Sequence, residues 1–120
     1  MNEFSKEMSK RLLDFATAGV KLSMKLSRTA TGRVLGNQLL RSCSSSGANY
    51  REACGAESRA DFIHKIQITL KELRETEYWL ELIANVGLLP RPKLEPLLRE
   101  ADELIRVFVR SVVTSKSGPK

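Results

Sequence analysis

Gln38-Leu39-Leu40-Arg41-Ser42-Cys43-Ser44-Ser45-Ser46-Gly47-Ala48-Asn49-Tyr50-Arg51-Glu52-Ala53 can be read in two ways. By composition, Ser42 to Asn49 is a linker, rich in residues that favour turns over helix interiors. By spacing it is a helix with a small inner face, because Leu35, Leu39, Ser42, Ser46 and Ala53 fall in one row. Small side chains on that row would let a neighbouring helix come close. Propensity disfavours the helix, and the residues alone leave both readings open.

The flanking sequence is less ambiguous. Upstream, Phe4, Met8, Leu12, Phe15, Gly19, Leu22 and Leu26 step by four and three, the period of an amphipathic helix. Thr29-Ala30-Thr31-Gly32 supplies a break and a threonine N-cap, after which Val34, Leu35, Leu39 and Leu40 resume the pattern. Downstream, Ser58 is placed to cap a third helix whose core stripe is Phe62, Ile66, Leu73, Leu80 and Ala84. That helix has a second apolar edge, Ile68, Trp79, Leu82 and Val86. A helix apolar on two sides has more than one neighbour, so this edge is the candidate contact between subunits of a homo-oligomer. Gly87 is placed to end the helix. Pro92 and Pro96 bracket the start of a fourth, with Leu94, Leu97, Leu98, Ala101, Ile105, Phe108 and Val112 on its inner face. The expected fold is all-α, an antiparallel up-down four-helix bundle over residues 1–113, followed by a polar, disordered tail over 114–120.

Composition agrees with a soluble globular protein: of 120 residues, 42% are hydrophobic and 28% charged. No stretch of eighteen apolar residues and no signal-peptide pattern is present, which points to the cytoplasm and away from membranes. Cys43 and Cys54, if on one helix, stand roughly 16 Å apart, too far for a disulfide. Two free thiols fit a reducing compartment. The net charge is +6. Residues 1–60 carry a net of +5 and residues 61–120 a net of +1. A basic balance favours an anionic partner such as RNA or DNA, although a solvated surface explains it equally well.

Three segments carry a family resemblance: Gln38 to Ala53, Glu57-Ser58-Arg59-Ala60-Asp61-Phe62-Ile63-His64-Lys65, and Lys71-Glu72-Leu73-Arg74-Glu75-Thr76-Glu77-Tyr78-Trp79-Leu80-Glu81-Leu82. Together they resemble the bacterial four-helix-bundle proteins first noted as encoded in intervening sequences of 23S ribosomal RNA. The resemblance spans residues 4–113, with its specific part in the middle two helices. It implies that the Ser/Gly-rich stretch is helical. It also implies assembly into a ring, commonly a pentamer. A distant relative it brings in is the accessory protein of diversity-generating retroelements, a basic ring that works beside a reverse transcriptase and nucleic acid. A nucleic-acid-processing protein is therefore a candidate partner.

Candidate functional residues follow from charge and placement. Lys6, Lys10, Lys21, Lys25 and Arg28 share one stripe of the first helix, and Arg33, Arg41 and Arg51 share another on the second. These eight are the candidate nucleic-acid contacts, since phosphates need cations but no particular spacing. No aromatic residues interleave them, which argues against base stacking. Asn49, Glu52, Ser58 and Glu77 are candidate structural polar groups that fix helix register through buried hydrogen bonds. Glu72, Glu75, Glu77 and Glu81 read as a solvated face with Lys71 and Arg74. One histidine cannot furnish the Glu-x-x-His pairs of a di-metal bundle, so no metal and no cofactor are expected. Arg59 and His64 have the Arg-x4-His spacing that some helical-bundle ribonucleases use. The alternatives to a non-enzymatic nucleic-acid-binding or accessory protein are thus a small ribonuclease using Arg59 and His64, and a purely structural oligomer.

Overall fold

The computed structural model describes residues 1–117. It contains four helices: α1 (Glu3–Lys25), α2 (Ala30–Cys54), α3 (Arg59–Val86) and α4 (Arg91–Ser117). Helices α1, α2 and α3 carry N-caps, for the last two at the residues the sequence marks. The side chains of Asn2, Thr29 and Ser58 accept from the amides of Ser5, Gly32 and Asp61. Gly87 closes α3 at φ 85°, a left-handed conformation that costs glycine little. Connections this short force sequential helices to lie side by side and reverse direction. The cross-helix pairs run accordingly. Ser9 meets Arg51 and Ala16 meets Cys43; Glu52 meets Lys65 and Ser42 meets Thr76; Glu81 meets Arg91. The result is an elongated antiparallel bundle, 52 × 21 × 19 Å.

The Ser/Gly-rich stretch is helical throughout. Its hydroxyls cease to compete with the backbone because they bond back to carbonyls of their own helix. Ser42 donates to Leu39, Ser44 to Leu40 and Ser46 to Cys43. The face so formed is thin, and α1 comes close to it. A Cβ added at Gly19 would stand 2.6 Å from Cys43 Sγ. Cys43 is fully buried, which pushes its thiol up to about 11. It is unpaired, as is the half-buried Cys54.

Leu12, Leu39, Ile66, Leu73, Leu80, Ile83, Leu94, Leu104 and Phe108 are completely enclosed. Truncating any of these leucines or isoleucines to alanine costs about 2–5 kcal/mol. Tyr50 of α2 meets Phe108 of α4 with ring centroids 5.0 Å apart, tying the two helices together. Arg11 does the same for α1 and α4, donating to both oxygens of Glu100 at 3.0 and 2.6 Å.

The polar interior differs from the expected one. Ser9, Ser42, Ser46, Thr69, Glu72 and Thr76 are the buried polar residues among those described, with Thr76 donating to Ser42 at 2.8 Å. Glu72 is therefore part of the interior and not of a solvated acidic face. Of the expected register-holding groups, Glu52 is exposed and accepts from Lys65, and Ser58 is exposed and caps α3. Asn49 is half-buried and bonds only locally, to the Ser45 carbonyl. Neither Phe4 nor Val34 joins the core, being 50% and 62% exposed. Phe4 falls on the inner face of α1 but nothing packs over that end of the stripe, whereas Val34 is turned about 140° from Leu39 and lies on the outer face of α2. Pro96 lies within α4 rather than bracketing its start, on an exposed position where a missing amide costs least. Finally, α4 runs on to Ser117, so residues 114–117 are helix and not tail; residues 118–120 fall outside the described residues.

Glu77 is half-buried on α3, near Asp102 of α4 and Glu81 of its own helix. Burial first, then the two acids, raises its carboxyl above the usual range, with Arg74 opposing them. A carboxyl that is harder to ionise when folded detracts from stability at neutral pH. The penalty disappears as pH falls through the raised pKa toward the ordinary one.

Two predictions follow from this packing. In urea titrations, Gly19→Ala should cost about 1–3 kcal/mol from overpacking, less the ~1 kcal/mol alanine gains in helix propensity. In a Cys43→Ala background most of that cost should vanish, and strictly additive effects would show that the two helices are not in register here. Glu77→Gln should raise stability at pH 7, because it removes a carboxylate that burial and its acidic neighbours disfavour. It should change nothing below about pH 4, where wild-type Glu77 is already protonated. An equal gain at both pH values would remove ionisation as the cause.

Candidate nucleic-acid interface

The eight candidate cations divide once the helices are assembled. Lys10 is bound to Asp14 at 2.9 Å and Lys6 approaches Glu3 at 3.8 Å, both within α1. Arg51 Nε donates to Ser9, and Arg33 donates to the Ser27 carbonyl. Arg41 reaches across to α3, where it contacts Glu72 at 3.3 Å and Glu75 at 2.7 Å. Its charge is thereby consumed in joining α2 to α3. Lys21, Lys25 and Arg28 remain. All three are exposed, and among the described residues none forms an ion pair or side-chain hydrogen bond.

These three cluster because of how α1 ends. Lys21 and Lys25 are one turn apart on the exposed side, and Arg28 follows in the turn to α2. The turn lies against the Gly87–Pro90 connection between α3 and α4. Between the two turns is a cleft of about 700 Å³ lined by Met24, Lys25, Arg28, Thr29, Leu88 and Leu89, among others. Of the other arginines at this end, Arg33 donates to the Ser27 carbonyl, and Arg91 is held by Glu81 at 2.8 Å and Glu95 at 3.4 Å. The bond to Arg91 draws the Glu81 carboxyl below its usual range. One end of the bundle thus shows unopposed positive charge beside an accessible cleft.

The candidate subunit contact is narrower than its sequence pattern. Ile68, Trp79 and Leu82 are half-buried by the chain itself, and of the four only Val86 is largely exposed, at 53%. Between Ile68 and Trp79 the same strip carries Glu72 and Glu75, which pair with Arg41 of α2. Trp79 packs against the core, edge-on to Tyr78 at 5.2 Å. Its Nε1 is the buried side-chain polar atom without a hydrogen-bond partner among the described residues. More apolar surface is exposed elsewhere, at Leu13, Met24 and Leu40 on α1 and α2 and at Val109 and Val113 on α4.

Arg59 and His64 do not converge. Both are exposed on α3. A separation of five residues turns them about 140° from each other around the helix. No group of three or more His, Cys, Asp or Glu among the described residues is placed to hold a metal ion. No helix among them is long and apolar enough to cross a membrane.

The sequence reading missed an aromatic surface on α3. Lys71, Arg74, Glu75, Tyr78 and Trp79 line an open concavity of about 490 Å³, with Tyr78 60% exposed. The signal was available in the spacing of Lys71, Arg74 and Tyr78, which recur every three or four residues on one exposed face.

Residues 5–110 match the family described as 23S rRNA-intervening sequence protein. A solved structure from Bacteroides thetaiotaomicron, described as a protein with unknown function from the S23 ribosomal protein family, is 39% identical. The similarity covers 88% of this chain and 97% of that one, with a TM-score of 0.83. No curated protein matches significantly. The quoted helix-two and helix-three segments, the four-helix architecture and a match over nearly the whole chain agree: this chain belongs to the 23S rRNA-intervening sequence protein family.

Proposed function

We propose that the chain is a non-catalytic, self-assembling helical bundle that binds nucleic acid, alone or beside a nucleic-acid-processing protein. The observation that carries this reading is the trio Lys21, Lys25 and Arg28, exposed and without acidic partners among the described residues at one end of the bundle. Cations left unpaired are free to replace the counterions of a phosphate backbone, and release of those counterions drives binding. Sequence preference is not expected from such contacts. The family's association with 23S ribosomal RNA makes RNA the first ligand to try.

Assembly is supported by a separate observation. Leu13 is 53% exposed and stands beside a shallow groove between α1 and α2, lined by Ala16, Ser44, Gly47 and Ala48 among others. An apolar ridge next to a groove of small residues suits close contact with another copy. The resemblance to ring-forming relatives favours a pentamer, which would bring several copies of the cationic trio into one assembly and multiply a weak contact.

Binding of a fluorescent RNA should weaken steeply between 50 and 200 mM salt. Changing Lys21, Lys25 and Arg28 together to glutamate should lower affinity at least tenfold and flatten the salt dependence by about two to three charges' worth. An unchanged slope in that variant would remove the trio from the interface. Sedimentation should give an oligomer, and Leu13→Glu should dissociate it with the helical signal retained. A 13.5 kDa monomer at micromolar concentration would refute assembly.

A further inference from the structure

We propose that the concavity on α3 built around Tyr78 is a stacking site for an unpaired base of a single-stranded nucleic acid, with Lys71 and Arg74 taking the adjoining phosphates. The proposal rests on the reading of the chain as a nucleic-acid binder and adds to it a preference for single strands.

Four observations converge. Tyr78 is 60% exposed, an uncommon placement for a large aromatic ring on a helix whose other large apolar residues are at least half-buried, Val86 apart. Its ring is braced from one side by the indole of Trp79, with centroids 5.2 Å apart and planes at 76°. A braced ring loses little freedom when a base stacks on it. The surrounding charge suits an anion. Lys71 and Arg74 are exposed on the same face, and among the described residues neither makes an ion pair. Glu75, the acid in the concavity, is bound by Arg41 at 2.7 Å, so its charge is opposed. Finally, the concavity of about 490 Å³ is open, as a base entering from solvent on a flexible strand requires.

Position adds to this. Tyr78 lies eight residues before the last residue of α3, about 12 Å along the axis. Just beyond that helix end, Leu88 and Leu89 line the cleft that also holds Lys25 and Arg28. A strand of several nucleotides is long enough to span that axial rise and can offer an unstacked base to Tyr78. A duplex cannot, because its bases are already stacked and paired.

Trp79 is the only tryptophan, so its fluorescence reports directly on the site. The protein is titrated with three probes of equal charge. These are a twelve-nucleotide oligothymidine, an abasic deoxyribose-phosphate strand of that length, and a twelve-residue hairpin of four base pairs closed by four abasic residues. The thymidine strand should bind about tenfold more tightly than the abasic strand, and it alone should shift the emission of Trp79. Tyr78→Ala should erase that preference, while Tyr78→Phe, which keeps a π-face, should retain it. Tyr78 is exposed, so neither change should disturb the fold. The triple reversal at Lys21, Lys25 and Arg28 should weaken both strands alike and leave their ratio intact.

Equal affinity for the thymidine and abasic strands, or a preference surviving Tyr78→Ala, overturns the stacking site. If both strands then still respond to the triple reversal, the electrostatic reading stands without it. If no probe binds at 50 mM salt, both readings fail together.

Discussion

The approach of α1 to α2 at Gly19 and Cys43 is the constraint on which the remaining geometry depends. With a Cβ at position 19 the sulfur would be overrun at 2.6 Å, so the two helices meet here only because one of them has no side chain. The neighbouring inner positions of α2 are Ser42 and Ser46, both small and both fully buried. A helix with so thin a face can be packed from two sides. Thus α2 takes α1 against Cys43 while presenting Ser42 to Thr76 of α3. Most of the fully enclosed large side chains come from α3 and α4, among them Leu73, Leu80, Leu94, Leu104 and Phe108, with Leu12 of α1 and Leu39 of α2 beside them. Volume is conserved across the bundle: small residues on one helix are answered by bulky ones opposite.

That division explains which parts of the fold were legible in sequence. Helices α1, α3 and α4 announce themselves because their stripes are built from leucine, isoleucine and phenylalanine at helical spacing. In α2 the stripe is real but made of serine, cysteine and alanine, whose presence at those positions resembles a linker. Propensity argues against helix there, and the back-bonded hydroxyls that answer it are visible only in three dimensions. The resemblance to a family supplied what local chemistry could not. At the ends the error has the opposite sense. Phe4 obeys the period yet has nothing to pack against, because period specifies a face and not what covers it. The polar composition of residues 114–117 likewise conceals the last turn of α4, which the preceding helix carries on.

The candidate site was legible only in outline. Charge counting located an excess in the first half of the chain but could not say which cations were free. Arg41 is separated from Glu72 and Glu75 by more than thirty residues, and its pairing across α2 and α3 depends on the register that Ser42 and Thr76 share. Arg51 meets Ser9 at a similar remove. By contrast Lys10 and Asp14 are one turn apart, a pairing any helical wheel would show. Setting aside the cations that pair with acids, together with Arg33 and Arg51, which donate to a carbonyl and a hydroxyl, leaves Lys21, Lys25 and Arg28. Tyr78 was hidden for another reason. It follows Arg74 and Lys71 on a helix whose net charge is close to balanced, so charge alone gives it no prominence.

The free cations have a structural explanation that can be weighed. Positive side chains in the last turn of a helix interact favourably with its dipole, by about 0.3–1 kcal/mol at the surface. Lys25, the last residue of α1, fits that account. Lys21 precedes the last turn and Arg28 lies beyond it, so the dipole of α1 covers one member of the three. The same end of the bundle holds the C-terminus of α3 and the N-termini of α2 and α4. Two positive and two negative helix ends face one way, and in an antiparallel bundle their partial charges largely cancel. The potential of that end is therefore set by its side chains. Arg91 is answered there by Glu81 and Glu95, while the α1 trio is answered by no acid among the described residues. Folding leaves that charge uncompensated, and a phosphate-bearing ligand is the chemistry that would compensate it.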